Sequence, residues 1–197
     1  MDEKWFAGKC GGFDREITVP FSWASPLSGI GEDKKGVAWY RRTVAWQPGE
    51  KDSRVFLVFG AVDYRCDIWV NGVHMGNHAG GYSPFEFEVT HLWDSQSENE
   101  IVVRAEDWDH AYQTRGKQGY GEIRGIWQPV WLEARPKNYI ANARFVTHMD
   151  GRIEVAGKVH ASSTGASNLK LIFQENIMCS VPFSLVEGLN DFSLSFT

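Results

Sequence analysis

The chain has 197 residues, of which 20 are Lys or Arg and 25 are Asp or Glu, so its formal net charge is −5. This length fits one large domain, or one domain with part of a second. The acidic balance argues against a nucleic-acid surface, which needs clustered basic side chains. No apolar run approaches the roughly 20 residues of a membrane-spanning helix, and the first residues lack a signal-peptide pattern. We therefore expect a cytoplasmic location and neither nucleic acid nor membrane as a partner.

Strand patterns begin with Val55–Phe59, a buried-strand pattern that ends at Gly60. Two apolar runs then flank Asn71-Gly72, the strongest short hairpin signal, because both central residues of a type I′ turn need a positive φ. Further apolar runs or alternating patterns predict strands over Phe85–Val89, Ile101–Arg104, Val130–Glu133, Arg152–Val159 and Leu169–Phe173. Short helical turns around residues 94–96 and 185–187 are the alternatives to an all-strand interpretation.

The composition changes near residue 137. All nine Trp and 16 of the 20 Gly lie before that point. The junction Glu133–Asn138 contains the Pro and the charges of a short linker. We therefore predict one domain over residues 1–137 and a second over 138–197.

Turn signals recur about every ten residues, and no long apolar face has the period of a helix. This spacing predicts an all-β fold, either a β-sandwich or a jelly roll. The 27 aromatic residues suit a packed β core, and they also suit sugar binding, since flat rings stack on pyranose faces. Trp39, Trp69 and Trp127 lie in or beside strand patterns, so we expect core positions for them.

Several residue types that often carry chemistry have simpler interpretations here. His74 and His78 are four residues apart, but we interpret them as straddling the hairpin, which favours turn histidines over a metal site. The acid–base-like pair Asn99-Glu100 ends a polar turn, which predicts a solvent-exposed position. Three scattered cysteines predict reduced thiols. We expect no metal and no cofactor, and we find no catalytic residue.

The candidate binding residues follow the predicted strand 101–104. Asp107 belongs to a group of carboxylates that could accept hydrogen bonds from sugar hydroxyls, and Trp108 is the best candidate for stacking because its neighbours are charged. Arg115, Lys117 and Gln118 lie in a polar, glycine-containing loop of the kind that often binds ligands. The alternatives are a solvated rim and ion pairs between this loop and the carboxylates.

Seven strings in order resemble the N-terminal sugar-binding domain of glycoside hydrolase family 2, the family of β-galactosidases, β-glucuronidases and β-mannosidases. They are Ile17–Phe21, Ser25–Gly31, Ala38–Arg42, Phe59–Tyr64, Ile68–Gly72, Gly80–Phe85 and Gly125–Glu133. The resemblance covers about residues 13–137, and residues 138–197 resemble the opening strands of the immunoglobulin-like domain that follows. The string Arg115–Gln118 resembles a bacterial branch of β-galactosidases.

The resemblance implies a jelly-roll sandwich followed by part of an immunoglobulin-like sandwich. It also implies a fragment, with the first strand of the jelly roll missing and the catalytic (β/α)8 barrel absent. The retaining mechanism needs two glutamates of that barrel, so we expect this part alone to be inactive. The implied partners are a terminal β-glycoside, the missing barrel and, as an open option, a second copy of the chain.

The resemblance assigns the loop after strand 101–104 to the substrate, which is why Asp107, Arg115, Lys117 and Gln118 stand out. The loop Glu32–Lys35 is a weaker candidate, since its residues differ from those expected for a sugar contact. Two alternatives stay open: a free-standing carbohydrate-binding module, and a structural domain that only docks on the barrel.

Overall fold

A computed structural model describes residues 13–50, 52–108 and 123–196. Within these ranges the regular elements are strands, apart from one short 3-10 helix, Pro26–Ser28. The prediction of an all-β fold is confirmed. The alternative of short helical turns at 94–96 and 185–187 is wrong. No helix in the described part of the chain is long and apolar enough to cross a membrane. The chain divides into two compact units, residues 1–134 and 135–197.

The first unit contains nine strands. They are β1 (Gly36–Val44), β2 (Arg54–Phe59), β3 (Val62–Asp63), β4 (Arg65–Val70), β5 (Val73–Ala79), β6 (Phe85–Glu88), β7 (Asn99–Asp107), β8 (Gly125–Ile126) and β9 (Val130–Arg135). The strands predicted from the sequence are all present, and β1 and the two-residue strands β3 and β8 are additional.

These strands form a β-sandwich. One sheet has the order β1-β7-β4-β5, a second has the order β6-β2-β9, and β3 pairs with β8. Alternate residues of β2 and β7, such as Leu57 and Val103, belong to one buried apolar cluster, so the core lies between the two larger sheets. Trp23 and Ile126 extend this cluster towards β8.

The Asn71-Gly72 hairpin is confirmed, with φ values of 50° and 79° at its two central residues. Asn99 is not exposed as the sequence suggested: it is fully buried at the start of β7. Its side-chain oxygen accepts hydrogen bonds from the Asn71 amide at 2.9 Å and from the Asp94 backbone N–H at 2.8 Å. The buried amide therefore fastens the hairpin turn to the polar turn before β7.

His74 and His78 do not straddle the hairpin, because both lie on β5. A β-bulge shifts the register of the β4–β5 pair between them, and an extra residue re-aims the side chains that follow it. The His74 ring lies 3.1 Å from Asp67 Oδ1, whereas the His78 ring stacks on Phe85. The two imidazoles therefore have different surroundings.

The second unit has five strands. A three-stranded sheet has the order β10-β11-β14, and β12 pairs with β13 as a long hairpin. Their bounds are β10 (Tyr139–Thr147), β11 (Ile153–Ala161), β12 (Gly165–Phe173), β13 (Asn176–Leu185) and β14 (Gly188–Phe196). Five buried apolar residues form its core: Val155, Val159, Ala161, Leu185 and Phe192.

Candidate functional site

Asp107 and Trp108 lie where β7 ends. Asp107 pairs with Gly36 at the start of β1, and its side chain is only 1% exposed. Trp108 follows at once and is 47% exposed, with the edge of its ring near Gly36. The strand therefore turns one predicted site residue inwards and leaves the next one open to solvent.

Arg124 determines the surroundings of Asp107. Its guanidinium is also 1% exposed, and Nη1 donates to Asp107 Oδ2 at 2.5 Å. Its Nε donates to Asp33 Oδ1 at 2.7 Å, although Asp33 is 63% exposed. Charge-assisted bonds of this length fix the side chains firmly. The arginine thus connects a buried carboxylate at the end of β7 with a surface loop.

The second oxygen of Asp107 has no such support. Oδ1 is buried and accepts no hydrogen bond within the described residues. A buried acceptor without a donor costs free energy. Oδ1 can therefore accept a hydrogen bond from a hydroxyl group or a water molecule only where such a group reaches this buried position.

Asp63 is a second buried carboxylate near this pair. It is 8% exposed and lies opposite Gly125 in the β3–β8 ladder. Burial and, to a smaller extent, the negative charge of Asp107 together raise the pKa of Asp63 to about 6, against the opposing effect of Arg124. Among the described residues no hydrogen bond to the Asp63 carboxylate is found.

Glycines allow the close packing around these acids. A Cβ atom at Gly81 would lie 2.5 Å from Asp63 Oδ1, so only glycine lets the backbone approach this carboxylate. The Gly81 carbonyl accepts a hydrogen bond from the Trp127 indole at 2.7 Å, and the Tyr82 ring meets Trp127 edge to face. Tyr82 is largely exposed, so an aromatic pair lies beside the Asp63 carboxylate.

We call Asp63, Asp107, Arg124 and Asp33 the acid–arginine cluster. At neutral pH its three carboxylates outnumber the single guanidinium, so the cluster attracts hydrogen-bond donors and repels anions. No group of three or more His, Cys, Asp or Glu side chains in the described ranges is arranged to hold a metal ion. The chemistry that this cluster supports best is the binding of hydroxyl groups.

Sequence reasoning identified only part of this cluster. Arg115, Lys117 and Gln118 lie outside the described residues, so their assignment to the site stays a prediction. The alternative, ion pairs from Arg115 and Lys117 to the nearby carboxylates, stays a prediction for the same reason. Within the described residues, Asp107 pairs with Arg124. Asp33 lies in the loop Glu32–Lys35, which the sequence indicated only as a weaker candidate for a sugar contact.

Asp63 and Arg124 were missed. The available signals were an acid directly after buried Ala61-Val62, and a basic residue directly before Gly125 in an otherwise apolar strand pattern. Neither signal says that the two side chains meet, because β3 and β8 are about 60 residues apart in the sequence.

A separate concavity of about 510 Å³ lies beside β1, between residues 13–17 and 30–40. In its lining, Glu32 pairs with Arg15 at 2.7 Å and with Lys34 at 2.6 Å. These pairs lower the pKa of Glu32.

Comparison with known proteins agrees with the sequence resemblance. A β-glucuronidase from Bacteroides fragilis is 33% identical over 110 residues, which is 53% of this chain and 16% of that protein. A β-galactosidase from Thermoanaerobacter pseudethanolicus is 29% identical over 160 residues, covering 76% of this chain and 21% of that protein. A solved structure of β-glucuronidase 2 from Bacteroides uniformis shares the fold, with a TM-score of 0.74 at 22% identity over 95% of this chain and 25% of that one.

The chain thus spans about a fifth of the length of these relatives. The family model for the sugar-binding domain of glycosyl hydrolases family 2 matches residues 9–136. That match includes the whole acid–arginine cluster and Trp108. The chain belongs to glycoside hydrolase family 2 and carries the sugar-binding domain of that family.

Proposed function

We propose that this chain is the non-catalytic sugar-binding part of a β-galactosidase, whose catalytic barrel hydrolyses terminal β-glycosides with retention of configuration. The observation that supports this proposal best is the free oxygen of Asp107, whose other oxygen is held by Arg124 at the end of β7. Directly beside it, Trp108 offers an exposed ring for stacking. Asp107 and Trp108, with Arg115, Lys117 and Gln118, would orient the non-reducing sugar at the mouth of the barrel.

A second candidate is a free-standing carbohydrate-binding module. The exposed rings of Trp108 and Tyr82 favour it, because surface aromatic rings stack on sugars without help from a barrel. It predicts saturable binding of galactose by this chain alone. The active-site role predicts almost no binding until the barrel is present. A purely structural domain predicts that this chain contributes no sugar binding, with or without the barrel.

The decisive experiment assays the longer protein that carries this chain on aryl β-galactoside and aryl β-glucuronide. We expect hydrolysis of the galactoside, and we expect Trp108→Ala to raise KM by about three- to tenfold, the value of one aromatic contact. Trp131→Ala is the matched control, since Trp131 is similarly exposed but lies on β9.

Two results would contradict the proposal. Hydrolysis of the glucuronide alone would remove the galactosidase assignment. Equal KM values for the two Trp variants would remove Trp108 from the substrate site. Titration of the isolated chain with galactose, followed by Trp fluorescence, separates the module from the active-site role.

A further inference from the structure

We propose that Arg124 is a positioning residue of the sugar site, which holds the exposed Trp108 ring in place by binding Asp107 and Asp33 at the same time. The inference rests on the proposed sugar-binding function and adds to it the residue that fixes the stacking ring. The sugar itself would touch Trp108 at the surface, and the buried ion pair would act on it through the protein alone.

The Trp108 ring lies against the start of β1. A Cβ atom at Gly36 would lie 3.6 Å from Cη2 of that ring, and Gly36 has a φ of 138°, which glycine adopts without strain. Asp107, the residue before Trp108, lies opposite Gly36 in the β1–β7 ladder. The position of the ring therefore depends on two backbone segments: the end of β7, which carries it, and the start of β1, which it lies against.

Arg124 joins these two segments through its side chain. Its Nη1 donates to Asp107 Oδ2 at 2.5 Å, directly before Trp108, and its Nε donates to Asp33 Oδ1 at 2.7 Å, three residues before Gly36. Asp107 Oδ1 accepts no hydrogen bond from a described residue, so among those residues Arg124 alone holds this carboxylate. A planar guanidinium makes both bonds from one rigid group, which an ammonium group cannot do.

The backbone around Arg124 is fixed as well. Its N–H donates to Ser22 Oγ at 2.8 Å, and its carbonyl accepts a hydrogen bond from the Trp23 N–H at 3.3 Å. Trp23 in turn bonds to the loop before β1, since its carbonyl accepts from the Glu32 N–H at 3.1 Å and its indole donates to the Lys34 carbonyl at 3.0 Å. The guanidinium is therefore held relative to that loop, which is the support that the contact residues of a binding site need.

The outer bond of Arg124 can be weakened without disturbing the buried pair. Asp33 is 63% exposed, so Asp33→Asn removes a charge at the surface and leaves the bond to Asp107 in place. The amide oxygen of asparagine accepts a hydrogen bond less strongly than a carboxylate does. The Trp108 ring would then be held less firmly, so the sugar would bind less tightly while the chemical step stays the same.

The test uses the longer protein that carries this chain and whichever of the two aryl glycosides it hydrolyses. We expect Asp33→Asn to raise KM about threefold with kcat nearly unchanged, and Asp33→Glu, which keeps the charge, to restore most of the loss. In the Trp108→Ala background, Asp33→Asn should change KM no further, because the ring that it helps to hold is gone. Arg124→Lys should raise KM by no more than Trp108→Ala does.

Glu100→Gln is the matched control. Glu100 also connects β7 to β1 through an arginine, Arg41 at 2.5 Å, but it lies at the opposite end of β7 from Asp107. Loss of this charge should leave KM unchanged. Thermal unfolding shows whether each variant folds, and if Arg124→Lys does not fold, Asp33→Asn in the two backgrounds is sufficient for the test.

Three results would overturn the inference: an unchanged KM for Asp33→Asn, the same fold-increase in KM from Asp33→Asn with and without the Trp108 ring, and an equal rise in KM for Glu100→Gln. A rise in KM for Trp108→Ala without one for Asp33→Asn would leave the proposed function standing. An unchanged KM for Trp108→Ala would remove the proposed sugar site itself, so the two failures are distinguishable.

Discussion

At the residue scale, Asp63 is an unusual group of the first unit. A carboxylate that is 8% exposed loses most of its hydration, and a second carboxylate nearby adds repulsion. These two causes raise the pKa of Asp63 from 3.8 to about 6, against the attraction of Arg124. The group therefore changes its charge in the mildly acidic range, whereas an ordinary aspartate has lost its proton well below it.

This raised pKa predicts that the free energy of unfolding falls as the pH rises through about 6. The folded state binds a proton more tightly than the unfolded state, so the contribution of Asp63 is fully present below about pH 4 and is lost above its folded pKa. We expect a loss of about 1–2 kcal/mol from this group, less than the full shift implies because water reaches part of the carboxylate.

The measurement is urea unfolding at several pH values across this range, compared with Asp63→Asn. The variant should lack this part of the pH dependence, since asparagine does not titrate. Parallel pH profiles for the two proteins would show that Asp63 is ionised normally in the folded state. Asp67→Asn serves as the control, because Asp67 lies on β4 and bonds to His74, outside the acid–arginine cluster.

At the element scale, the two-residue strand β8 depends on a glycine. Gly125 has a φ of 69°, and a Cβ atom there would lie 2.2 Å from the Tyr40 hydroxyl and 2.5 Å from the Trp23 ring. Both rings belong to the buried core, so they cannot move aside cheaply. The glycine thus allows β8 to pack beside Arg124.

We predict that Gly125→Ala destabilises the first unit by about 3 kcal/mol or more. This value adds the cost of a left-handed backbone conformation at alanine to the cost of an overpacked core. Gly72→Ala is the matched control. Its φ is 79°, but nothing lies within 4 Å of the added methyl group, so only the conformational cost of about 1–2 kcal/mol remains. Thermal unfolding of both variants measures the difference, and equal losses would show that the core around β8 adapts.

The sequence predicted most strands because their patterns are local. The Asn71-Gly72 turn and the apolar run before Gly60 each define an element within a few residues. The additional strands β1 and β10 have mixed patterns. The strands β13 and β14 do alternate, so they could have been predicted, although Pro182 within β13 argued against a strand there.

The site was less predictable for a related reason. Asp107 and Trp108 were identified because they follow a strong strand pattern directly. Arg124 reaches Asp107 only through the fold, since 17 residues separate them, and it reaches Asp33 across 91 residues. No local pattern contains a contact of that kind. The family resemblance also directed attention to the loop after strand 101–104 and away from Asp63.

At the scale of the whole molecule, the two units differ in the size of their cores. Within the described residues, the buried cluster of the first unit draws on both of its larger sheets, whereas that of the second unit contains five residues. Exposed apolar side chains are frequent on the β12–β13 hairpin, including Ile172, Phe173 and Ile177. A core of that size supplies little net stability to a unit of 63 residues.

We therefore predict that amide protons of β12 and β13 exchange faster than those of β2, β4 and β7. Local opening needs less free energy where fewer apolar contacts are broken. Hydrogen exchange followed by NMR gives this ranking for each strand in a single sample. Equal protection in the two units would mean that the second unit is stabilised by something other than its own core.

The reach of Arg124 also affects how this protein tolerates sequence change. Asp33 stands largely in solvent, where surface redesign normally exchanges charges without consequence. Here its carboxylate is the outer end of a chain of ion pairs whose inner end is Asp107. Asp33 looks tolerant of substitution, but a charge reversal there would act on a buried guanidinium. Charge engineering and library design should therefore treat Asp33 as an interior residue.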